Sequence, residues 1–396
     1  MSSHEHDCDE TKVTALGRNP AAHHGAVNLP PYRASTMIFP SMAAMAASNG
    51  RQYETYRYGR VNSPSIEAFE TAVAQLEGGS RGVSCPSGMA AIAVALLAYV
   101  KGGDHILVLD CVYEPGRHFC ETVLRSLGVE VEFVPPGIGA DIAAHIRPNT
   151  SVIYLEAPGS LTFEVPDLRA IVAAARAARG DEIALVIDNT WATPIFFKPL
   201  AMGIDVSIHA ATKYIVGHSD AVLGVCVCSE KNFKRVKDAA VNFGLCGGSE
   251  EMFLALRGLR TLAVRMKQHE ATGLALAEWL AARPEVVQIV HPARPDHPDH
   301  AVFKRDFGGA SGLFAFGLDA KYSDEAIDRM VDEMRHFKIG FSWGGFESLI
   351  LPMRGGPLRS HGHALKGKPV RIHAGLEAVA DLITDLEAGF HRLNAG

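Results

Sequence analysis

Five short apolar runs constrain this chain more than any other feature: HILVLD at 105–110, SVIYLE at 151–156, IALVID at 183–188, DVSIHA at 205–210 and VLGVCVC at 222–228. They are β-branched, shorter than an ordinary helix, and largely continuous rather than alternating with polar residues. A strand with one face in water alternates, whereas a strand buried on both faces does not. With helical patterns such as that at 167–179 between them, the runs predict a mostly parallel central sheet covered by helices, an α/β core over about 61–256.

The pattern changes after Arg257. TLAVRMKQHEATGLALAEWLAARP at 261–284 is a long amphipathic stretch, followed by short apolar runs and a last helical pattern near 376–393, which predicts a smaller C-terminal α+β domain over 257–396. Before Asn62 there is little periodicity, but Tyr53, Tyr56, Arg57, Tyr58 and Arg60 crowd together. Residues 1–60 therefore read as an arm packed on another subunit or as an ordered surface loop. The length of 396 residues leaves room for these parts, since folding units run to about 100–200 residues.

Composition removes several classes of function. Lys+Arg 38 against Asp+Glu 44 gives a net charge of −6 with no basic block, so nucleic acid is not an expected partner. The longest apolar run, at 89–100, has 12 residues where a bilayer needs about 20, so no membrane span is expected. The start, MSSHEHDCDETK, lacks the positive region and apolar stretch of a secretory signal and points to the cytoplasm. The 7 cysteines are odd in number and scattered, which reads as reduced thiols. Cys226 and Cys228 read as two side chains on one face of a strand.

In a sheet of this kind ligands gather beyond the carboxyl ends of the strands. Three places there could carry chemistry. Ser87-Gly88-Met89 precedes a helix whose first N–H groups are free to cradle a phosphate, although a plain capped helix has the same look. Lys213 sits among small residues before a Gly-His-Ser turn, where partial burial disfavours the ammonium and frees an amine for a Schiff base; a lysine reaching solvent is the alternative. Asp188 ends IALVID, placed either to pair a pyridinium nitrogen or to cap the turn at Asp-Asn-Thr. Together they describe a pyridoxal-phosphate site.

The segments YEP at 113–115, LEAPGS at 155–160, IDNTWATP at 187–194, ATKYIVGHSDA at 211–221, RGLRTL at 257–262 and SWGGFESL at 342–349 closely resemble the Cys/Met-metabolism family of pyridoxal-phosphate enzymes. The resemblance runs over about 53–393 and implies the fold type I, aspartate aminotransferase-like architecture. It implies that Lys213 binds the cofactor and later serves as the base, with Asp188 on the ring nitrogen and Tyr113 stacked on the ring. Gly88 and Met89 would bind the phosphate through backbone N–H groups and Thr212 through its hydroxyl. Tyr58 and Arg60 would reach the phosphate of a neighbouring subunit, making the protein at least a dimer and by family habit a tetramer. Arg371 would clamp the substrate carboxylate, beside Ser342 and Trp343.

Within the family the resemblance is strongest to members that break the Cβ–S bond of L-cystathionine, giving homocysteine, pyruvate and ammonia in methionine biosynthesis. Trp343, Phe341 and Ala210 stand where many γ-acting relatives have leucine, glutamate and serine. Phe253 departs from the tyrosine of some β-acting relatives, and Ala157 from a common serine. Cleavage of cysteine, or of cystathionine at Cγ, is the alternative within the family. A binding protein that keeps the fold without turnover is the alternative outside it, disfavoured by the presence of Lys213, Asp188 and Arg371 together. The histidine pairs His4 and His6, His23 and His24, and His361 and His363 lack partners at metal-ligand spacing, so no metal is expected. His218 reads as a residue that orients the lysine loop.

Overall fold

The computed structural model describes residues 7–395. Seven strands form the larger sheet: β1 (Arg81–Cys85), β2 (His105–Leu109), β3 (Glu130–Val134), β4 (Thr150–Glu156), β5 (Ala184–Asp188), β6 (Val206–His209) and β7 (Gly224–Cys228). Their order is β1-β7-β6-β5-β4-β2-β3, with β7 antiparallel to both neighbours and the rest parallel. The five apolar runs are β2 and β4 to β7. Two strands carry no such signal. β1 reads Arg-Gly-Val-Ser-Cys, and β3 alternates glutamate with apolar residues because it is an edge strand with a wet face.

Helices cover this sheet for local reasons. Ser87 caps the helix Gly88–Leu97, its Oγ accepting from Ala90 N at 3.1 Å, and the all-apolar sequence that follows buries Ala91, Ile92, Val94, Ala95 and Leu96. Asp167 caps the helix Leu168–Arg179. At its other end Arg176 reaches Asp205 Oδ2 at 2.6 Å, just before β6. Cys226 and Cys228 lie on β7, fully buried, and all seven cysteines are free thiols.

The smaller sheet is antiparallel, β10-β11-β9-β8, built from β8 (Val286–Val290), β9 (Leu313–Leu318), β10 (Leu349–Pro352) and β11 (Lys368–His373). The helix Leu262–Ala281 links the two cores: Leu262, Ala263 and Met266 pack in the larger, Leu276, Ala277 and Leu280 in the smaller. The last helix, Val379–Asn394, closes the smaller core with Leu382, Leu386 and Phe390. At the amino end the short helix Asp9–Ala15 is fastened by Arg260, which donates to the carbonyls of Val13 and Leu16. Farther along the chain Ile38 and Met42 are exposed, at 93% and 74%. Among the described residues no helix is long and apolar enough to cross a membrane.

Register fixes where the site falls. Glu156 on β4 lies opposite Asp188 on β5, and Asp188 opposite Ile208 on β6. The carboxyl ends of three parallel strands therefore stand side by side, facing the segment 340–345 and strand β11 of the smaller sheet.

Candidate active site

Lys213 follows β6 in a tight turn, its N–H donating to Ala210 O and its carbonyl accepting from Gly217 N at 2.8 Å. Arg265, itself buried, holds that turn by donating to Tyr214 O at 2.7 Å. The Lys213 amine donates to Ser342 Oγ at 2.8 Å and lies 5.1 Å from the Trp343 ring. Burial, then the nearby Arg371 guanidinium, pulls its pKa down to about 8, against the opposing pull of Asp188. An amine in this state is a nucleophile and a base near neutral pH.

Asp188 is 7% exposed, accepts from Thr190 N at 2.9 Å and, among the described residues, forms no ion pair. Burial raises its carboxyl above the ordinary value, against the hydrogen bonds from Thr190 and the charges of His209 and Lys213. Glu156 beside it is raised further, by burial and by Asp188 itself, and accepts from Tyr113 N at 2.6 Å. Glu156 was not singled out in the sequence; only the register of β4 and β5 reveals it. Tyr113 is 44% exposed, and burial of its phenol together with Asp188 and Glu156 raises its pKa, so it stays protonated at neutral pH.

Arg371 is 8% exposed on β11. Its Nη2 donates to the carbonyls of Gly340 and Ser342 at 2.9 and 3.2 Å, and no carboxylate pairs with it among the described residues. A buried guanidinium held only by carbonyls has charge left for an anionic ligand.

Gly88 has a structural reason besides the one expected. A Cβ there would lie 2.5 Å from Ala210 Cβ, so the glycine makes room for the approach of the lysine turn as well as baring the helix end. The Thr212 hydroxyl donates to Leu223 O at 3.1 Å and accepts from Leu223 N at 2.9 Å. Donation to a phosphate requires breaking the first of these bonds. His218 bonds locally, to Val216 O. Phe253 lies half-buried on the helix Ser249–Leu259. Tyr58 and Arg60 line a separate cavity of about 250 Å³ with Tyr32 and Cys246, and Arg60 donates to Val241 O at 2.8 Å. Among the described residues no group of three or more histidine, cysteine or acidic side chains is arranged to hold a metal; His361 bonds Phe133 O, and His4 and His6 lie outside the described residues.

The residues fit pyridoxal phosphate. The buried, unpaired carboxylate of Asp188 suits a protonated ring nitrogen, the depressed amine of Lys213 an aldehyde, and the bared helix end at Gly88 a phosphate. A sheet of this topology with that amine, carboxylate and guanidinium at its carboxyl edge defines a class, the pyridoxal-phosphate enzymes of fold type I. Within it, residues 10–391 match the family described as Cys/Met metabolism PLP-dependent enzyme, and the chain belongs to that family.

Relatives span nearly the whole chain. Cystathionine beta-lyase MetC of Escherichia coli is 43% identical over 389 residues, covering 97% of this chain and 98% of that one. An L-alanine/L-glutamate racemase of Wolbachia pipientis is 40% identical over 400 residues, covering 97% of each. The crystal structure of a cystathionine gamma-lyase from Lactobacillus plantarum, complexed with L-serine, superposes with a TM-score of 0.89 at 31% identity, covering 98% of this chain and 100% of that one.

Proposed function

We propose that this chain cleaves L-cystathionine at the Cβ–S bond, yielding homocysteine, pyruvate and ammonia, as a step of methionine biosynthesis. The observation that carries the reading is the Lys213 amine, depressed to about 8 and set against Ser342 between Asp188 and Arg371. The choice of bond is supported by relatives at 39% to 43% identity that bear the name cystathionine beta-lyase.

When bound, pyridoxal phosphate supplies an aldehyde for the substrate amine and a conjugated ring that takes up the electron pair released at Cα. Gly88 and Met89 N–H groups would hold its phosphate, with Thr212 joining once its hydroxyl turns from Leu223. Asp188 would hold the ring nitrogen and Tyr113 the ring face. Arg371 binds the substrate carboxylate through the donors left free by its two carbonyl bonds, and this contact orients the Cα–H bond towards Lys213. Lys213 Nζ removes the Cα proton. Tyr113, protonated at neutral pH, or the newly formed Lys213 ammonium gives a proton to the departing sulfur. Ser342 Oγ accepts from the amine, and the Trp343 ring lies beside it.

The proposal extends to assembly. Tyr58 and Arg60 line a cavity apart from Lys213, which supports their service to a neighbouring subunit, in at least a dimer and in a tetramer by family habit. The arm would be residues 1–60, the cofactor domain 61–256 and the C-terminal domain 257–396. The free thiols support the cytoplasm as the compartment.

A second reading has one specific observation behind it, the racemase at 40% identity. The test compares kcat/KM for L-cystathionine cleavage, L-cysteine cleavage and L-alanine racemisation in one preparation. Cystathionine cleavage should exceed the other two by about tenfold or more. Faster racemisation of alanine would transfer the chain to the second reading.

A further inference from the structure

Behind Lys213 lies a ring cluster whose three fully buried members, Tyr214, His269 and His373, the reaction steps above leave idle. Tyr214, His269, His373 and Trp343 stand with ring centroids 5.0 to 5.8 Å apart. His373, 1% exposed, is two residues beyond Arg371 on β11, so both side chains leave the same face of the strand. Arg371 holds the carbonyls of Gly340 and Ser342, while His373 Nε2 accepts the N–H of Gly344 at 3.1 Å. One strand face thus fastens the segment 340–344 at both ends, and the groups that touch the Lys213 amine, Ser342 Oγ and the Trp343 ring, lie between the fastenings.

Both contacts of Nε2 fall on the same turn. Burial, then the nearby His269, Arg371 and Lys213, holds the His373 pKa well below the ordinary value, so the ring is neutral and carries one proton. Nε2 lies between Gly344 N and, at 3.2 Å, Gly345 O. In either tautomer Nε2 therefore bonds this turn, accepting from the Gly344 N–H or donating to the Gly345 carbonyl. Nδ1 faces the phenol oxygen of Tyr214, the residue next to Lys213, at 3.5 Å.

We propose that His373 is a positioning residue whose Nε2 holds the Gly344 turn down on Lys213 and so keeps Ser342 and Trp343 against the amine. The inference rests on the reading of Lys213 as the reactive amine.

Three variants separate the bonds. H373Q puts an amide where Nε2 bonds the turn, H373N reaches only the Tyr214 side, and H373L keeps the volume with no bond. Competitive acetylation of the cofactor-free protein against pH, read on the Lys213 peptide by mass spectrometry, reports the amine. Steady-state kinetics with L-cystathionine on the loaded enzyme report turnover. Lys213 should half-titrate at about 8 in the native protein and in H373Q, and about one unit higher in H373N and H373L as water reaches the amine. In those two, kcat should fall about tenfold or more with KM within about threefold, because Arg371 keeps its own bonds. Equal behaviour of H373Q and H373N, or a loss carried by KM alone, overturns the proposal, and this pair decides the matter even where H373L does not fold. The acetylation needs no substrate, so the titration pattern without cystathionine cleavage would count against the substrate and not against His373.

Discussion

Alanine at position 344 would strike the backbone of the lysine itself. Gly344 has φ +84°, and a Cβ built there lies 2.9 Å from Lys213 Cβ and 3.0 Å from its C and Cα, atoms that cannot swing aside. The left-handed backbone costs an alanine about 1–2 kcal/mol, and forced overpacking adds about 1–3 kcal/mol, roughly 2–5 kcal/mol together. That energy surfaces in one of two places. If the turn stays, the protein loses stability; if it lifts, Ser342 leaves the amine and kcat/KM falls tenfold for each roughly 1.4 kcal/mol. The assay therefore reads both, by denaturant unfolding of the loaded protein and by lyase kinetics on the same preparation. The two losses should sum to at least about 2 kcal/mol. Native unfolding together with kcat/KM within about twofold would refute the claim that this turn rests on Lys213.

The remaining predictions concern the charges and the proposed sharing of the site between subunits. Asp188 binds its proton more tightly in the native state than in the unfolded chain, so in the cofactor-free protein its contribution to stability falls as pH rises from the ordinary carboxyl value through the raised one. D188N does not titrate and should gain on the native chain over that window; urea unfolding at about pH 4 and about pH 7 should show the wider gap at the higher pH, and no gap at either would mean the carboxylate is not penalised by burial. R371L should raise KM by about 10- to 100-fold, the worth of a charge-assisted contact of roughly 1.5–3 kcal/mol, and an unchanged KM would remove Arg371 from the carboxylate site. Co-expression of K213A with R60A should restore activity to about a quarter of the native level, since half of randomly paired dimers are mixed and each of these has one intact site. A mixture as inactive as either parent would mean that Arg60 serves its own chain.

The parts of the fold visible in the sequence are those whose signal is local. Strands β2, β4, β5, β6 and β7 announce themselves by continuous apolar runs because both their faces are covered. β1 and β3 do not, one being a short Gly- and Ser-containing strand and the other a half-wet edge. Lys213, Asp188 and Arg371 were legible through their motifs, and the structure brings the three to one place. The contacts that tune them were not, since each acts across a long sequence separation, even where a motif had already named the residue, as it had Ser342. Glu156 meets Asp188 only through strand register, Ser342 meets Lys213 across 129 residues, and His373 meets Gly344 across 29. Gly88 was singled out for a phosphate, whereas a Cβ there would also meet Ala210, a contact with no trace in the local sequence.

The measurement that bears most directly on the central claim is the identity of the keto acid. Purified protein loaded with pyridoxal phosphate is given L-cystathionine, and the products are identified by mass spectrometry. Cleavage at Cβ gives pyruvate with homocysteine, which is the predicted result. 2-Oxobutyrate with cysteine would contradict the account, placing the reaction at Cγ despite Trp343, Phe341 and Ala210.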